Sequence, residues 1–272
     1  MKSRIAVSRA EFSAGVLEEQ TCSNAGSMFR EHGALWLEDV IDSELVSELA
    51  RVYEQKYVSL GKGILNRRHA KVGHSRFMVT LEIEPPFDSH LLFANPLLLP
   101  ILKSLLGHDC RISSFGSVVT FAGADQQQVH LDFPPLYESE QLCASLPPHA
   151  ITLVIPLVEL DAKTGSTAIW EGSHRSPGSR QLLTDLMESP TLDGSVHPLA
   201  RAGDVYLMDY RVIHAGMAND SDVSRPILYI VYCRKWFRDA YNFHDQPPVR
   251  IAADRFNAME PRHRQLFDGH AS

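Results

Sequence analysis

The spacing of apolar positions along this chain changes near residue 110. Before it, Leu45, Val46, Leu49 and Val52 recur at the three- and four-residue intervals of one helix face. Asp42 stands where an N-cap is needed, and Glu44 falls in a first turn, where the helix dipole favours negative charge. Residues 11–60 therefore read as mostly helical, with a short strand at residues 32–37 bounded by Gly33. Residues 61–90 are polar, punctuated by glycine and rich in Arg and His, and read as loop with short strands. Pro96 opens a predicted helix that runs through Leu106 and is closed by Gly107, the expected proline-first, glycine-last asymmetry.

From Arg111 to Arg238 the apolar runs become short and β-rich. Strands are predicted at residues 112–121, 151–160, 166–171, 204–208 and 227–232, with Gly, Pro, Asp and Asn in the gaps. That density predicts an antiparallel sandwich or barrel. Pro134-Pro135 and Pro147-Pro148 bracket a loop that no central strand could accommodate. Residues 181–188 suit a short surface helix with Leu182, Leu183 and Leu186 turned inward. The expected organisation is one domain over 1–272, with a helical part at about 11–107, a β core at about 111–238 and a tail at 239–272.

Composition narrows the classes. The 272 residues are 44% hydrophobic and 22% charged, ordinary for a globular protein. The net charge is −7 and the basic residues form no stripe, which argues against a nucleic-acid partner. No apolar run reaches the roughly 18 residues of a membrane span. Residues 1–19 lack an apolar core of signal-peptide length, although Arg4 and Arg9 with Ser3 and Ser8 give a faint transit-peptide character. The end at Gly269–Ser272 does not match a peroxisomal address. Cys22, Cys110, Cys143 and Cys233 stand far apart without CxxC spacing, so they read as small hydrophobes in a reducing compartment. The expected location is cytoplasmic.

The candidate chemistry begins at Gln127-Gln128-Val129-His130-Leu131-Asp132. On a strand, residues i and i+2 share a face, so His130 and Asp132 would project together, their Cβ atoms about 7 Å apart. His214, after a turn-and-strand pattern and before Ala215-Gly216, is the best third ligand. Two histidines and one carboxylate leave three corners of an octahedron open, the donor set of non-haem Fe(II) oxygenases. Arg225, eleven residues after His214, offers a forked guanidinium that could clamp the far carboxylate of a bidentate cosubstrate. Each part alone has a plainer reading: His130-x-Asp132 as surface chemistry, His214 as a core histidine, Arg225 as a solvated charge before a proline. Their order and spacing favour the metal site.

The same residues resemble the phytanoyl-CoA dioxygenase family of Fe(II)/2-oxoglutarate oxygenases, over roughly residues 20–240. The resemblance rests on Gly123-Ala124-x-x-Gln127-x-x-His130-x-Asp132, on Thr167-x-x-x-x-Gly172-Ser173-His174-Arg175, and on His214-x-Gly216-x-x-Asn219-x-Ser221-x-x-x-Arg225-Pro226. It implies a mainly β fold, the double-stranded β-helix or jelly roll (cupin-like), with flanking N-terminal helices. It further implies Fe(II) held by His130, Asp132 and His214, 2-oxoglutarate held by Arg225 with Gln127 and Thr167 nearby, and O2 as oxidant. Related halogenases replace the carboxylate with a small residue. Asp132 therefore points to a hydroxylase or another oxidation of a small molecule, with release of succinate and CO2, and a place in secondary metabolism.

Substrate contacts are expected from Phe133 and Tyr137 after the ligand segment, and from Trp236, Phe237 and Arg238 after the Arg225 strand, with a core role for Trp236 and Phe237 as the equal alternative. Arg238 or Arg76 could meet a substrate carboxylate. Ser173 and His174 are read as structural, and His69, His74, His263 and His270 as surface histidines. Two other readings stay open: an inert β-helix ligand-binding protein, and a cupin-type metal isomerase or hydrolase. The expected partner is a small molecule, and a homodimer is left open.

Overall fold

Ten strands carry the fold in the computed structural model, which describes residues 3–59, 71–243 and 246–270. His69 lies outside the described residues. Eight of the strands form one sheet: β1 (Arg4–Ala6), β2 (Ala34–Glu38), β3 (Lys71–Gly73), β4 (Arg76–Thr80), β5 (Arg111–Thr120), β6 (Ala150–Pro156), β8 (Val205–Asp209) and β10 (Arg225–Cys233). Their order is β1-β2-β8-β6-β10-β5-β4-β3, antiparallel throughout except for the parallel β1/β2 pair. The other two, β7 (Thr167–Trp170) and β9 (Ile213–Gly216), pair antiparallel in a small second sheet. Isolated bridges widen that sheet on both sides, His130 to His214 on one and Val196 to Ile169 on the other. This is the two-sheet architecture expected from the sequence.

Both faces of the large sheet are covered, which explains why its strands read as nearly continuous apolar runs. One face carries Leu153, Ile155, Leu207, Leu228, Ile230 and Phe115 into the main core. There they meet Ala25 and Phe29 of the Glu19–His32 helix, Val46, Leu49 and Tyr53 of the Ser43–Tyr53 helix, and Ile101, Leu102 and Leu105 of the Leu99–Leu106 helix. Asp42 caps the second of these through hydrogen bonds from Glu44 N–H at 2.8 Å and Leu45 N–H at 3.4 Å, as its position predicted. The third starts later than expected. Residues 96–98 form a turn, Asn95 Oδ1 accepts from Leu97 N–H at 2.9 Å, and Pro100 rather than Pro96 occupies the first helical turn.

The small sheet is amphipathic in a different way. Val129, Ala168, Trp170, Ile213 and Ala215 turn outward and pack under Leu182, Leu183 and Leu186 of the Ser179–Glu188 helix. The alternate positions face the large sheet and line the cavity between the two. The tail is not a bare extension: Phe267 is fully buried and packs edge-on to Phe93 at 5.1 Å. His270 is half-buried with its Nε2 3.0 Å from the Ile112 carbonyl, and His263 stacks on His90, so neither is a plain surface histidine. His74 is exposed as expected. All four cysteines are free.

Candidate metal centre and cosubstrate pocket

His130 and His214 face each other across an antiparallel bridge. Each backbone N–H bonds the other's carbonyl, at 2.9 and 3.0 Å, and the ring centroids stand 4.3 Å apart. Directly opposed residues on antiparallel neighbours put their side chains on one face. This pairing therefore converges two imidazoles that are 84 residues apart in the chain (214 − 130 = 84). The segment around His130 differs from the strand that its sequence predicts. Residues 130–132 do not form a regular strand: His130 is a single bridge and Asp132 lies in a bend. Alternation nevertheless persists, with Val129 and Leu131 packed outward and His130 and Asp132 turned in.

The donor atoms of His130, Asp132 and His214 all lie within 4.8 Å of one another. His214 Nε2 is 3.5 Å from Asp132 Oδ1. The other ring nitrogens are committed: His130 Nδ1 donates to the Gln128 carbonyl at 2.8 Å, and His214 Nδ1 to the Val212 carbonyl at 3.0 Å. Those bonds fix the tautomers and leave the Nε2 lone pairs for the cavity, the arrangement that metal-binding histidines need. Asp132 is held twice, its Oδ2 by the Thr152 hydroxyl at 3.0 Å and its backbone carbonyl by Asn242 at 2.8 Å.

The electrostatics suit a cation. Burial, then the neighbouring His214, pushes His130 down to about 4, so its ring is neutral at working pH. Burial would raise the Asp132 carboxyl, but its coulombic and hydrogen-bond interactions with the facing His214 imidazole outweigh it and lower the group overall. His214 moves the other way: burial lowers it, yet the facing Asp132 carboxylate raises it overall.

Arg225 lines the same cavity and is buried. Its Nε donates to Thr120 Oγ1 at 2.9 Å and its Nη1 to the Ser166 carbonyl at 3.1 Å. A second buried guanidinium stands beside it. Arg76 of β4 donates to the Met217 carbonyl at 2.8 Å and the Asp125 carbonyl at 3.1 Å. Burial and then the charge of Arg225 push Arg76 down to about 9, still protonated at neutral pH. Among the described residues neither arginine has a carboxylate ion-pair partner, although a buried charge is costly without one. Gly216 lies against Arg76: a Cβ there would run into Gln127 Oε1 and the Arg76 guanidinium. Gln127 also accepts from Gly216 N–H at 3.2 Å, and the Thr167 hydroxyl pairs with Tyr206 at 2.9 Å; both residues line the cavity.

The cavity encloses about 540 Å³. None of the five expected substrate contacts, Phe133, Tyr137, Trp236, Phe237 and Arg238, lines it. Phe133 packs behind Asp132 against Phe237, with ring centroids 5.0 Å apart. Trp236 points into solvent, 64% exposed, while Phe237 is core. Arg238 sits against Gly269 in the C-terminal segment. Tyr137 is exposed on its loop. Ser173 and His174 are structural: Ser173 Oγ accepts from Ile213 N–H at 2.8 Å, anchoring the start of β9 one residue before His214. His174 fills the space beside Gly33, whose φ of 73° already requires glycine. The wall residues that sequence reasoning did not single out include Met78, Val118, Met208 and Tyr229. Strand alternation from Arg76 and Arg225 would have indicated Met78 and Tyr229.

Comparison with known proteins agrees with this geometry. A family model described as Phytanoyl-CoA dioxygenase (PhyH) matches residues 29–227. The protein named Dioxygenase af480 from Aspergillus fumigatus is 27% identical over 254 residues, covering 90% of this chain and 76% of that protein. The Iron/alpha-ketoglutarate-dependent dioxygenase ausO from Aspergillus calidoustus is 29% identical over 135 residues, 48% of this chain and 44% of its own. Among solved structures, HygX from Streptomyces hygroscopicus, with nickel and 2-oxoglutarate bound, aligns with a TM-score of 0.61 at 15% identity over 82% of this chain and 90% of that one. The non-heme alpha ketoglutarate dependent epimerase SnoN from nogalamycin biosynthesis aligns with a TM-score of 0.59 at 18% identity, over 80% and 82%. At these identities the structural likeness speaks for the fold, the double-stranded β-helix.

Proposed function

Because the chain belongs to the phytanoyl-CoA dioxygenase family, we propose that it is a non-haem Fe(II)- and 2-oxoglutarate-dependent dioxygenase that hydroxylates an unactivated C–H bond of a small molecule. One observation carries the reading: two imidazole Nε2 atoms and one carboxylate converge in a cavity that also holds two buried guanidinium groups without a carboxylate partner among the described residues. An inert binding module has no need of the triad. A metal isomerase or hydrolase with the same triad has no need of the paired arginines.

In this reading His130, Asp132 and His214 hold Fe(II). Together with 2-oxoglutarate and O2, the metal supplies the oxidising power for C–H cleavage, with succinate and CO2 as coproducts. The remaining work belongs to the chain. Arg225, with Arg76 beside it, takes the far carboxylate of 2-oxoglutarate; two fixed cations in a low-dielectric pocket bind a dianion far better than they would in water. Gln127 and Thr167 flank that position, and the glycine at 216 keeps it open. Thr152 and the two backbone carbonyls orient the ligands before metal arrives. Retention of a carboxylate at Asp132 favours oxygenation over halide transfer, since all three protein ligands are present.

The proposal includes a small-molecule partner and a cytoplasmic location; four free cysteines support a reducing compartment. No helix of the described residues is long and apolar enough to cross a membrane. The test is anaerobic addition of Fe(II) and 2-oxoglutarate. A weak visible charge-transfer band should require both, and should vanish in Asp132→Ala. Failure to retain metal, together with no succinate from labelled 2-oxoglutarate, would exclude the assignment.

A further inference from the structure

The cavity is divided by charge. Its ionisable lining groups other than tyrosines (Arg76, Arg225, His130, Asp132 and His214) all belong to the metal and cosubstrate end. The remaining wall combines apolar residues, among them Met78, Val118, Met208, Val231 and Phe243, with uncharged polar ones, and among the described residues it holds no charge. Strand pairing explains this. Arg225, Ile227, Tyr229 and Val231 alternate onto the cavity face of β10, and Ser114, Gly116 and Val118 lie opposite on β5.

Two hydroxyls on that wall have no partner. Tyr229 is paired directly with Gly116, and a side chain at 116 would collide with the Tyr229 ring, so the glycine gives the phenol its place. Ser114 is the next inward residue along β5, paired with Val231. Tyr229 is 7% and Ser114 0% exposed, and neither hydroxyl has a hydrogen-bond partner among the described residues. Neighbouring hydroxyls on the wall are occupied: Tyr206 pairs with Thr167, Thr152 with Asp132 and Tyr210 with Asp239. A buried hydroxyl without a partner is unfavourable, and native structures rarely leave one so. An oxygen atom bound against this wall would supply the missing partner.

We infer that the substrate is an uncharged molecule with a mainly apolar body, carrying a hydroxyl or carbonyl oxygen that is held by Tyr229 and Ser114. This rests on the oxygenase reading and names the substrate class for that site. Free carboxylates fit poorly, because an anion on the apolar wall would be desolvated without a partner. Acyl-CoA thioesters fit this mouth less well: among the described residues its more exposed lining positions, Val72, Gln128, Tyr241 and Asn242, offer no cation for phosphate.

The test uses the full chain loaded with Ni(II) and 2-oxoglutarate, which binds without turnover. Decalin and cyclododecane frames, each as alcohol, ketone, carboxylate and CoA thioester, are titrated by calorimetry. The alcohol or ketone should bind at least about tenfold tighter than either anionic form. Tyr229→Phe and Ser114→Ala should each weaken the neutral probe about tenfold, the factor of one net hydrogen bond, while 2-oxoglutarate affinity stays unchanged. The inference is overturned if the carboxylate or thioester binds as tightly, if no neutral probe binds, or if both variants keep full affinity. The 2-oxoglutarate titration keeps the two failures apart. Its absence in the unmodified protein sinks the oxygenase reading, whereas intact cosubstrate binding with the wrong probe preference sinks only this inference.

Discussion

Thr152 shows how much of the site is decided one atom away from the metal position. Its hydroxyl donates to Asp132 Oδ2 at 3.0 Å, leaving Oδ1 toward His214. Thr152→Val keeps the shape and removes that bond. Metal affinity should fall by about 10–100-fold, the usual effect of losing such a partner, with the fold intact; competition with a chelator measures it. Asp132→Ala should abolish 2-oxoglutarate consumption altogether, and unchanged turnover would mean a different ligand. Gly216→Ala makes a separate point. The added methyl meets Gln127 and Arg76, not the metal ligands. The apparent Michaelis constant for 2-oxoglutarate should therefore rise at least about tenfold, with metal content unchanged, since a misplacement of about 1 Å is enough for such losses. A fall in metal content instead would show that the pocket and the metal position are not separable.

At the scale of elements, the N-terminal helix offers a pH-dependent joint. Ser8 and Glu11 form a capping box, and the other oxygen of Glu11 accepts from Glu18 N–H at 2.9 Å, tying the Arg9–Ala14 helix to the start of the Glu19–His32 helix. These hydrogen bonds, that from Glu18 first, pull the Glu11 carboxyl down from 4.5 to about 2. The folded value lies below the unfolded one, so the stabilisation is present above about pH 4.5 and is lost as pH falls toward 2. Glu11→Gln should lower the thermal midpoint at pH 7, and the gap to the unmodified protein should close through that window; a gap independent of pH would refute the account. The joint also marks a limit of sequence reading. A three-residue strand such as β1 has too few positions to show a period, and it is placed by parallel pairing with β2, a tertiary event. The central strands were legible because burial on both faces makes them continuously apolar. His130-x-Asp132 was legible because the spacing is local. Arg76 was only one of two basic residues considered for a substrate carboxylate. It lies in a polar, glycine-rich stretch, and only the pairing of β4 with β5 carries it beside Arg225. Trp236 misled because it lies in a turn beyond the end of β10, where no strand period fixes a face: Phe237 goes in and Trp236 out.

For the whole molecule the cosubstrate pocket is a source of strain that binding should relieve. Arg76 and Arg225 are both buried, repel each other, and have no carboxylate partner among the described residues. The ligand-free fold therefore carries two costly cations. A dianion that binds only the folded state adds about 2.7 kcal/mol of stability at a hundredfold excess over its dissociation constant. For a chain of this size that raises the thermal midpoint by roughly 5–10 °C. Arg225→Met, which keeps the bulk and removes the charge, separates the two contributions. Without ligand it should melt no lower than the unmodified protein, because an uncompensated charge has been replaced by apolar volume. With Ni(II) and 2-oxoglutarate it should show none of the rise beyond that due to metal. Thermal melts with metal alone, ligand alone and both together decide the matter. A variant that is markedly less stable when empty, yet still stabilised by 2-oxoglutarate, would mean that Arg225 supports the β10–β5 pairing and that the anion is held elsewhere.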